Sequence, residues 1–211
     1  MPDEAARDPH TLIFDEGEEN IWFTVQGGNF MGRLNIESRD VDLIPSKTER
    51  SRPYGIKTTP DGAVWVDLFG TNKLAHIDPQ TLELTEIVLP REDARPRRLE
   101  ITDDGRVWYG DYAKGMLGVY NPKTKTFKEW AMPQGENSRP YGMASDSEGR
   151  IWLVATGVEP NVFVGFDPET EEFFSRTEVP SGGGVVSSHG NVMRPMKASC
   201  LRIGSSPPRV M

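Results

Sequence analysis

Residues 51–66 read "SRPYGIKTTPDGAVWV", and residues 138–153 read "SRPYGMASDSEGRIWL". In both, Arg-Pro-Tyr-Gly is followed by a turn and then by a Trp set between apolar residues. A unit that recurs at a fixed interval decides the architecture before any single element does. Working outward from the Trp gives Trp22, Trp65, Trp108 and Trp152, separated by 43, 43 and 44 residues. Arg52-Pro53, Arg95-Pro96 and Arg139-Pro140 keep the same interval, with Asp8-Pro9 in the corresponding place of the first copy.

Each copy spells four strands. An Asp-Gly or Glu-Gly pair (Glu16-Gly17, Asp61-Gly62, Asp104-Gly105, Glu148-Gly149) precedes the Trp, where a tight hairpin demands positive φ. The Trp segments "NIWFT", "AVWVD", "RVWYG" and "RIWLV" have the β-branched and aromatic composition of buried strand. A Gly- or Asn-rich link leads to a third strand such as "KLAHI" or "MLGVY", and "DPQT", "NPKT" or "DPET" then makes a second turn, its Pro presetting φ at the second position. The fourth segments, "ELTEIVLP", "TFKEWAMP" and "EFFSRTEVP", alternate with period two and stop at a proline. No helical period of comparable strength occurs.

Four antiparallel strands at this interval define a β-propeller blade. The predicted fold is therefore all-β, an incomplete propeller with four recognisable blades near residues 8–51, 52–94, 95–138 and 139–184. The periodic Trp is expected to pack one blade on the next. Residues 185–211, rich in Gly, Ser, Pro and Arg, read as a degraded fifth repeat or a loosely ordered tail, with Arg202 of "CLRIG" standing where a Trp belongs. A ring closes by pairing strands from both termini. Neither terminus offers a spare strand, so open blade edges are expected, and with them self-association.

Acidic residues outnumber basic ones by 32 to 24, for a formal charge of −8. The charges are scattered, which argues against nucleic acid as a partner. The single cysteine, Cys200, rules out an internal disulfide framework. No apolar run approaches the roughly 20 residues of a membrane span, so no membrane partner is expected. "MPDEAARDPH" carries acidic charge and no hydrophobic stretch, unlike a signal peptide. As written the chain reads as cytoplasmic; a longer N-terminus would make it periplasmic or secreted.

The recurring words, Pro-Tyr-Gly-Ile or Pro-His-Thr-Leu, then Asp-Gly, then Ile-Trp-Phe-Thr, then "GNFMGRL" or "TNKLAHI", then the Leu-Pro stop, resemble the repeat of the virginiamycin B (streptogramin) lyase family over about residues 8–184. The resemblance implies a seven-bladed propeller, of which this chain carries somewhat over half. It also implies opening of a cyclic depsipeptide by elimination at the ester bond, with a divalent metal, usually Mg²⁺. In members of the family an acidic residue and the base lie in a Glu-Pro-His-Gly stretch at the mouth of the central channel, and a second carboxylate follows about four residues after the next Trp. Asp8-Pro9-His10-Thr11 and Gln26 match those places. The match implies Asp8 as metal ligand and His10 as base. Gln26 departs from it, because an amide oxygen can bind Mg²⁺ without contributing charge.

The other copies place Arg52 and Tyr54, Arg95 and Arg97, and Arg139 and Tyr141 in the same acid and base slots. If each first strand faces the channel, these side chains and Arg98 converge on one mouth, suited to carboxylates, phosphates or planar carbonyl ligands. They are the candidate substrate-binding residues. The competing reading pairs each Arg with a local acid such as Glu100, Asp111 or Asp67. Asp111 and Tyr112 are further polar candidates for the mouth. Of the other two histidines, His76 lies in a third strand away from the axis and His189 in the Gly-rich tail.

Three functional classes are expected. One is a metal-assisted lyase resting on Asp8, His10 and the resemblance. Another is a propeller that binds a small anionic or sugar-like ligand in the channel, or hydrolyses a lactone. The third is an inactive fragment or interaction module.

Overall fold

The computed structural model describes residues 2–180 and residue 182. Within them sixteen strands form four antiparallel sheets of four, and each sheet is one sequence repeat. The first blade holds β1 (Pro9–Phe14), β2 (Asn20–Val25), β3 (Phe30–Asn35) and β4 (Val41–Pro45). The second holds β5 (Pro53–Thr58), β6 (Val64–Leu68), β7 (Lys73–Ile77) and β8 (Leu84–Val88). The third holds β9 (Pro96–Ile101), β10 (Val107–Asp111), β11 (Met116–Asn121) and β12 (Thr126–Ala131), and the fourth holds β13 (Pro140–Ser145), β14 (Ile151–Ala155), β15 (Val162–Asp167) and β16 (Glu172–Glu178). The only helical element among the described residues is the 3-10 turn Glu136–Ser138. No helix among them is long and apolar enough to cross a membrane. The expected fifth repeat lies outside the described residues.

Turn chemistry sets the strand ends. In "DPQT", "NPKT" and "DPET" the first residue's side-chain oxygen accepts the N–H groups two and three residues on: Asp78 from Gln80 and Thr81, Asn121 from Lys123 and Thr124, Asp167 from Glu169 and Thr170. These Asx turns fold the chain locally without help from the rest of the blade. Gly62, Gly105 and Gly149 take the expected positive φ, whereas in the first copy it is Glu18, one residue after Gly17, that does so. There Asp15 Oδ1 accepts from Glu19 N and Asn20 N and holds the turn.

The blades stand side by side in chain order, β1 against β5, β5 against β9 and β9 against β13. Trp22 packs with Ile56, Val66 and Ala75 of the second blade. Trp65 packs with Leu99, Val107 and Tyr109 of the third, and Trp108 with Ile151, Leu153 and Val164 of the fourth. Each buried indole removes roughly 200 Å² from water, about 5 kcal/mol before entropy is charged against it. Because side chains alternate across a strand, the residue after each Trp faces the preceding blade. Tyr109 follows this rule and lies over Gly118, where a side chain would collide with its ring.

The rule leaves two faces without a neighbour among the described residues. On the first blade Phe23 lies over Gly32 on a face shared with Leu12 (59 % exposed) and Phe14 (52 %). On the last blade Trp152 is only half-buried, meeting Phe174 edge-on at 5.2 Å.

Candidate functional site

The site begins with a backbone irregularity. In every blade the pairing of the first two strands slips by one residue: Pro9 pairs with Val25 and Leu12 with Phe23, Pro53 with Leu68 and Ile56 with Val66, and Pro140 with Ala155 and Met143 with Leu153. In the third blade the slip lies between Arg98, paired with Gly110, and Pro96, paired with Asp111. Such a bulge leaves an extra residue on the first strand and re-aims its side chains. The residues it displaces are His10 and Thr11, Tyr54 and Gly55, Arg97 and Arg98, and Tyr141 and Gly142. Asp8, Arg52 and Arg139, just before the prolines, all take positive φ.

These displaced residues meet at the hub. Arg97 is 5 % exposed, and its guanidinium carbon lies 4.3 Å from the ring centre of Tyr112, 4.5 Å from Tyr141, 5.0 Å from Phe69 and 5.1 Å from Tyr54. Four aromatic faces thus surround one cation, an arrangement favoured by the ring quadrupoles. Arg97 Nη2 donates to Tyr54 Oη at 3.3 Å, and the Tyr54 and Tyr141 hydroxyls are 3.1 Å apart. Arg98 lies over the same two tyrosines at 4.9 and 5.5 Å. Arg98 Nη1 donates to Thr11 Oγ1 at 3.3 Å.

Thr11 also joins Arg98 to His10, whose Nδ1 lies 2.8 Å from the same hydroxyl oxygen. A Thr11 oxygen that accepts from both leaves His10 Nε2 as the basic nitrogen. The imidazole stacks on Tyr54 with centroids 4.1 Å apart. Burial and then the Arg98 charge hold its pKa below the ordinary histidine value, against the pull of Asp8. This favours the neutral imidazole near neutral pH. The tyrosines differ in acidity: burial raises Tyr54, whereas at Tyr141 burial is outweighed by hydrogen bonds with Tyr54 and Arg98, which bring it below the usual phenol value.

The remaining candidates divide. Arg52 reaches the edge of the cluster, 5.6 Å from the Phe69 ring, and Arg139 approaches Tyr112 at 5.9 Å. Arg95 turns away, its Nη1 donating to the carbonyls of Ala94 and Glu92. Asp8 and Gln26 are brought together by the bond from Gln26 N to Asp8 O at 3.0 Å. They supply one carboxylate and one amide. Among the described residues no three His, Cys, Asp or Glu side chains gather as a metal site, and the other charges acting on neighbouring His10 are the Arg98 and Arg97 cations. A hard divalent ion needs a set of oxygen donors with compensating charge, so these residues alone do not fit a resident Mg²⁺. His76 is half-buried beside its strand partner Trp65, 4.8 Å between centroids, and His189 is outside the described residues.

Nor do the local acids pair with the hub arginines. Glu100 binds Lys57 Nζ at 2.8 Å. Asp111 Oδ1 accepts the backbone N–H groups of Arg95, Ala113 and Lys114, and is a turn cap. Asp67 is fully buried, accepts from Gly55 N at 3.1 Å, and keeps Oδ1 without a partner. Burial raises its pKa well above the usual carboxylate range, more than that hydrogen bond and the Arg98 and Arg97 charges lower it. Its carboxyl fills the space a side chain at Gly55 would need, which accounts for the glycine in the "RPYG" of the second blade; at Gly142, in the fourth, only Val154 is near, at an ordinary contact distance. Phe69 was not singled out from the sequence, although it stands four residues after Trp65, the place Gln26 holds after Trp22.

Known proteins share this fold. The virginiamycin B lyase family model matches residues 1–164. A catalytically inactive histidine-to-alanine variant of virginiamycin B lyase from Staphylococcus aureus, solved with quinupristin, superposes with a TM-score of 0.75 at 20 % identity over 85 % of this chain and 58 % of that one. A streptogramin B lyase structure gives 0.74 at 23 % identity over 85 % and 57 %. The selenomethionine form of the S. aureus lyase gives 0.76 at 17 % over 86 % and 58 %. The chain thus spans somewhat under three fifths of each. A search of curated protein sequences finds no significant match.

Proposed function

The chain belongs to the virginiamycin B lyase family, and from that premise we propose that it carries out an elimination at an ester carbon–oxygen bond at the hub. The observation that carries this reading is His10, a neutral imidazole stacked on Tyr54 and tied through Thr11 to Arg98. A base of this kind works best when its free form dominates near the reaction pH.

In the step, His10 Nε2 takes the proton from the carbon next to an acyl group. The electrons of that C–H bond form a carbon–carbon double bond to the neighbouring carbon, the bond from that carbon to the ester oxygen breaks, and a carboxylate leaves. The half-buried rings of Tyr112 and Tyr141 suit a flat, partly apolar cyclic depsipeptide. Asp8 and Gln26 alone do not hold Mg²⁺, and no step here is routed through a metal.

The test is incubation of the full chain, with and without Mg²⁺, with a type B streptogramin, read by chromatography and mass. Elimination opens the ring without changing the mass, whereas hydrolysis adds one water. The expected result is an isobaric ring-opened product, lost by at least a hundredfold in His10→Ala. A product heavier by one water, formed equally well by the variant, would instead mark a hydrolase acting on lactones or esters.

A further inference from the structure

Two guanidinium groups occupy the hub, and among the described residues neither Arg97 nor Arg98 forms an ion pair. Arg97 is nearly inaccessible, and its Nε has no hydrogen-bond partner. A cation held away from water without a counter-charge is costly, and aromatic faces compensate only part of the lost hydration. Asp67, the buried acid whose carboxyl feels both charges, is engaged with the Gly55 N–H and forms no ion pair with either arginine. The site therefore has cationic donors in place before any anion arrives.

We propose that the half-buried Arg98, backed by the enclosed charge of Arg97, is a carboxylate receptor, which in the elimination takes up the negative charge as the ester oxygen becomes a carboxylate. The proposal rests on the elimination reading for its catalytic half only. Three features select this chemistry. A guanidinium is planar and presents paired donors that match a carboxylate's two oxygens. The Tyr54 and Tyr141 rings flank the Arg98 guanidinium at 4.9 and 5.5 Å, which favours a planar anion over a tetrahedral one beside it. Thr11 holds Arg98 and His10 through one oxygen, with Nδ1 at 2.8 Å and Nη1 at 3.3 Å. A base and an anion receptor joined by one hydroxyl are spaced for proton removal at one end of a short fragment and charge capture at the other.

The experiment measures binding first. The full chain is titrated with benzoate, with benzamide as the uncharged isostere and inorganic phosphate as the tetrahedral anion, by calorimetry and by shifts of the arginine side-chain N–H resonances. Benzoate is expected to bind at least tenfold more tightly than benzamide or phosphate, and to lose at least tenfold in Arg98→Gln while Arg98→Lys recovers part of the loss. Because Arg97 is buried, Arg97→Met is checked for folding by circular dichroism before it is titrated. Benzamide binding as well as benzoate, or Arg98→Gln leaving benzoate binding unchanged, would overturn the proposal. Phosphate binding best would replace it with a phosphate site.

Turnover then separates the two claims. Benzoate binding without any elimination activity leaves the receptor standing and removes the lyase reading. Elimination that persists in Arg98→Gln and is not inhibited by benzoate removes the receptor and leaves the lyase.

Discussion

Asp67 shows how one buried side chain constrains the rest of the hub. Its folded pKa lies above its unfolded value, so the folded state binds this proton more tightly than the unfolded one. As pH rises from about 4, the unfolded chain releases the proton first, and stability falls until the folded pKa is passed, by at most about 1.4 kcal/mol per pH unit. Asp67→Asn keeps an oxygen for the Gly55 N–H and removes the titration. The variant is therefore expected to gain on the wild type steadily with pH, as urea midpoints measured from about pH 4 to 8 will show. Parallel curves would mean that Asp67 titrates normally. The sequence offered Asp67 only as a partner for an arginine, because its spacing from Trp65 says which strand it is on and nothing of how deep it lies.

At the scale of the element, the Trp that signals each blade does unequal work. Trp108 is fully buried between two blades, whereas Trp152 is covered on one side only. Trp108→Ala should cost about 3–5 kcal/mol in denaturant unfolding, and Trp152→Ala about half that or less. Equal costs would refute the blade-to-blade role given to this residue. The four strands of each repeat were legible because turns, alternation and the Trp are local signals that agree with one another. Less legible was the one-residue slip after each proline, since a bulge leaves no residue signature of its own. Without it, adjacent residues such as Arg97 and Arg98 would point to opposite faces. The sequence grouped Arg95 with the mouth by position alone, and the structure turns it back onto its own loop.

Across the whole molecule, the three internal interfaces share one design: a Trp face of one blade meets the opposite face of the next. Among the described residues the first and fourth blades each display half of that design, Leu12, Phe14 and Phe23 on one and Trp152 and Phe174 on the other. Such halves are complementary but not identical, so two copies of the 211-residue chain would meet head to tail, by a heterologous contact. Sedimentation of the isolated chain is expected to show concentration-dependent dimers, weakened by Phe14→Lys, which places a charge on a face already exposed. A monomer at all concentrations would count against that pairing.

The slip in each first strand has a consequence for how such a molecule can change. The two residues it turns inward are spelled independently of the alternating positions that hold the sheet together. His-Thr, Tyr-Gly, Arg-Arg and Tyr-Gly already occupy the four equivalent places in sheets of the same strand order. Substitution at the first of each pair rewrites the chemistry of the hub while leaving the strand pairing of the spokes as it was, so specificity can diverge within this architecture far faster than shape.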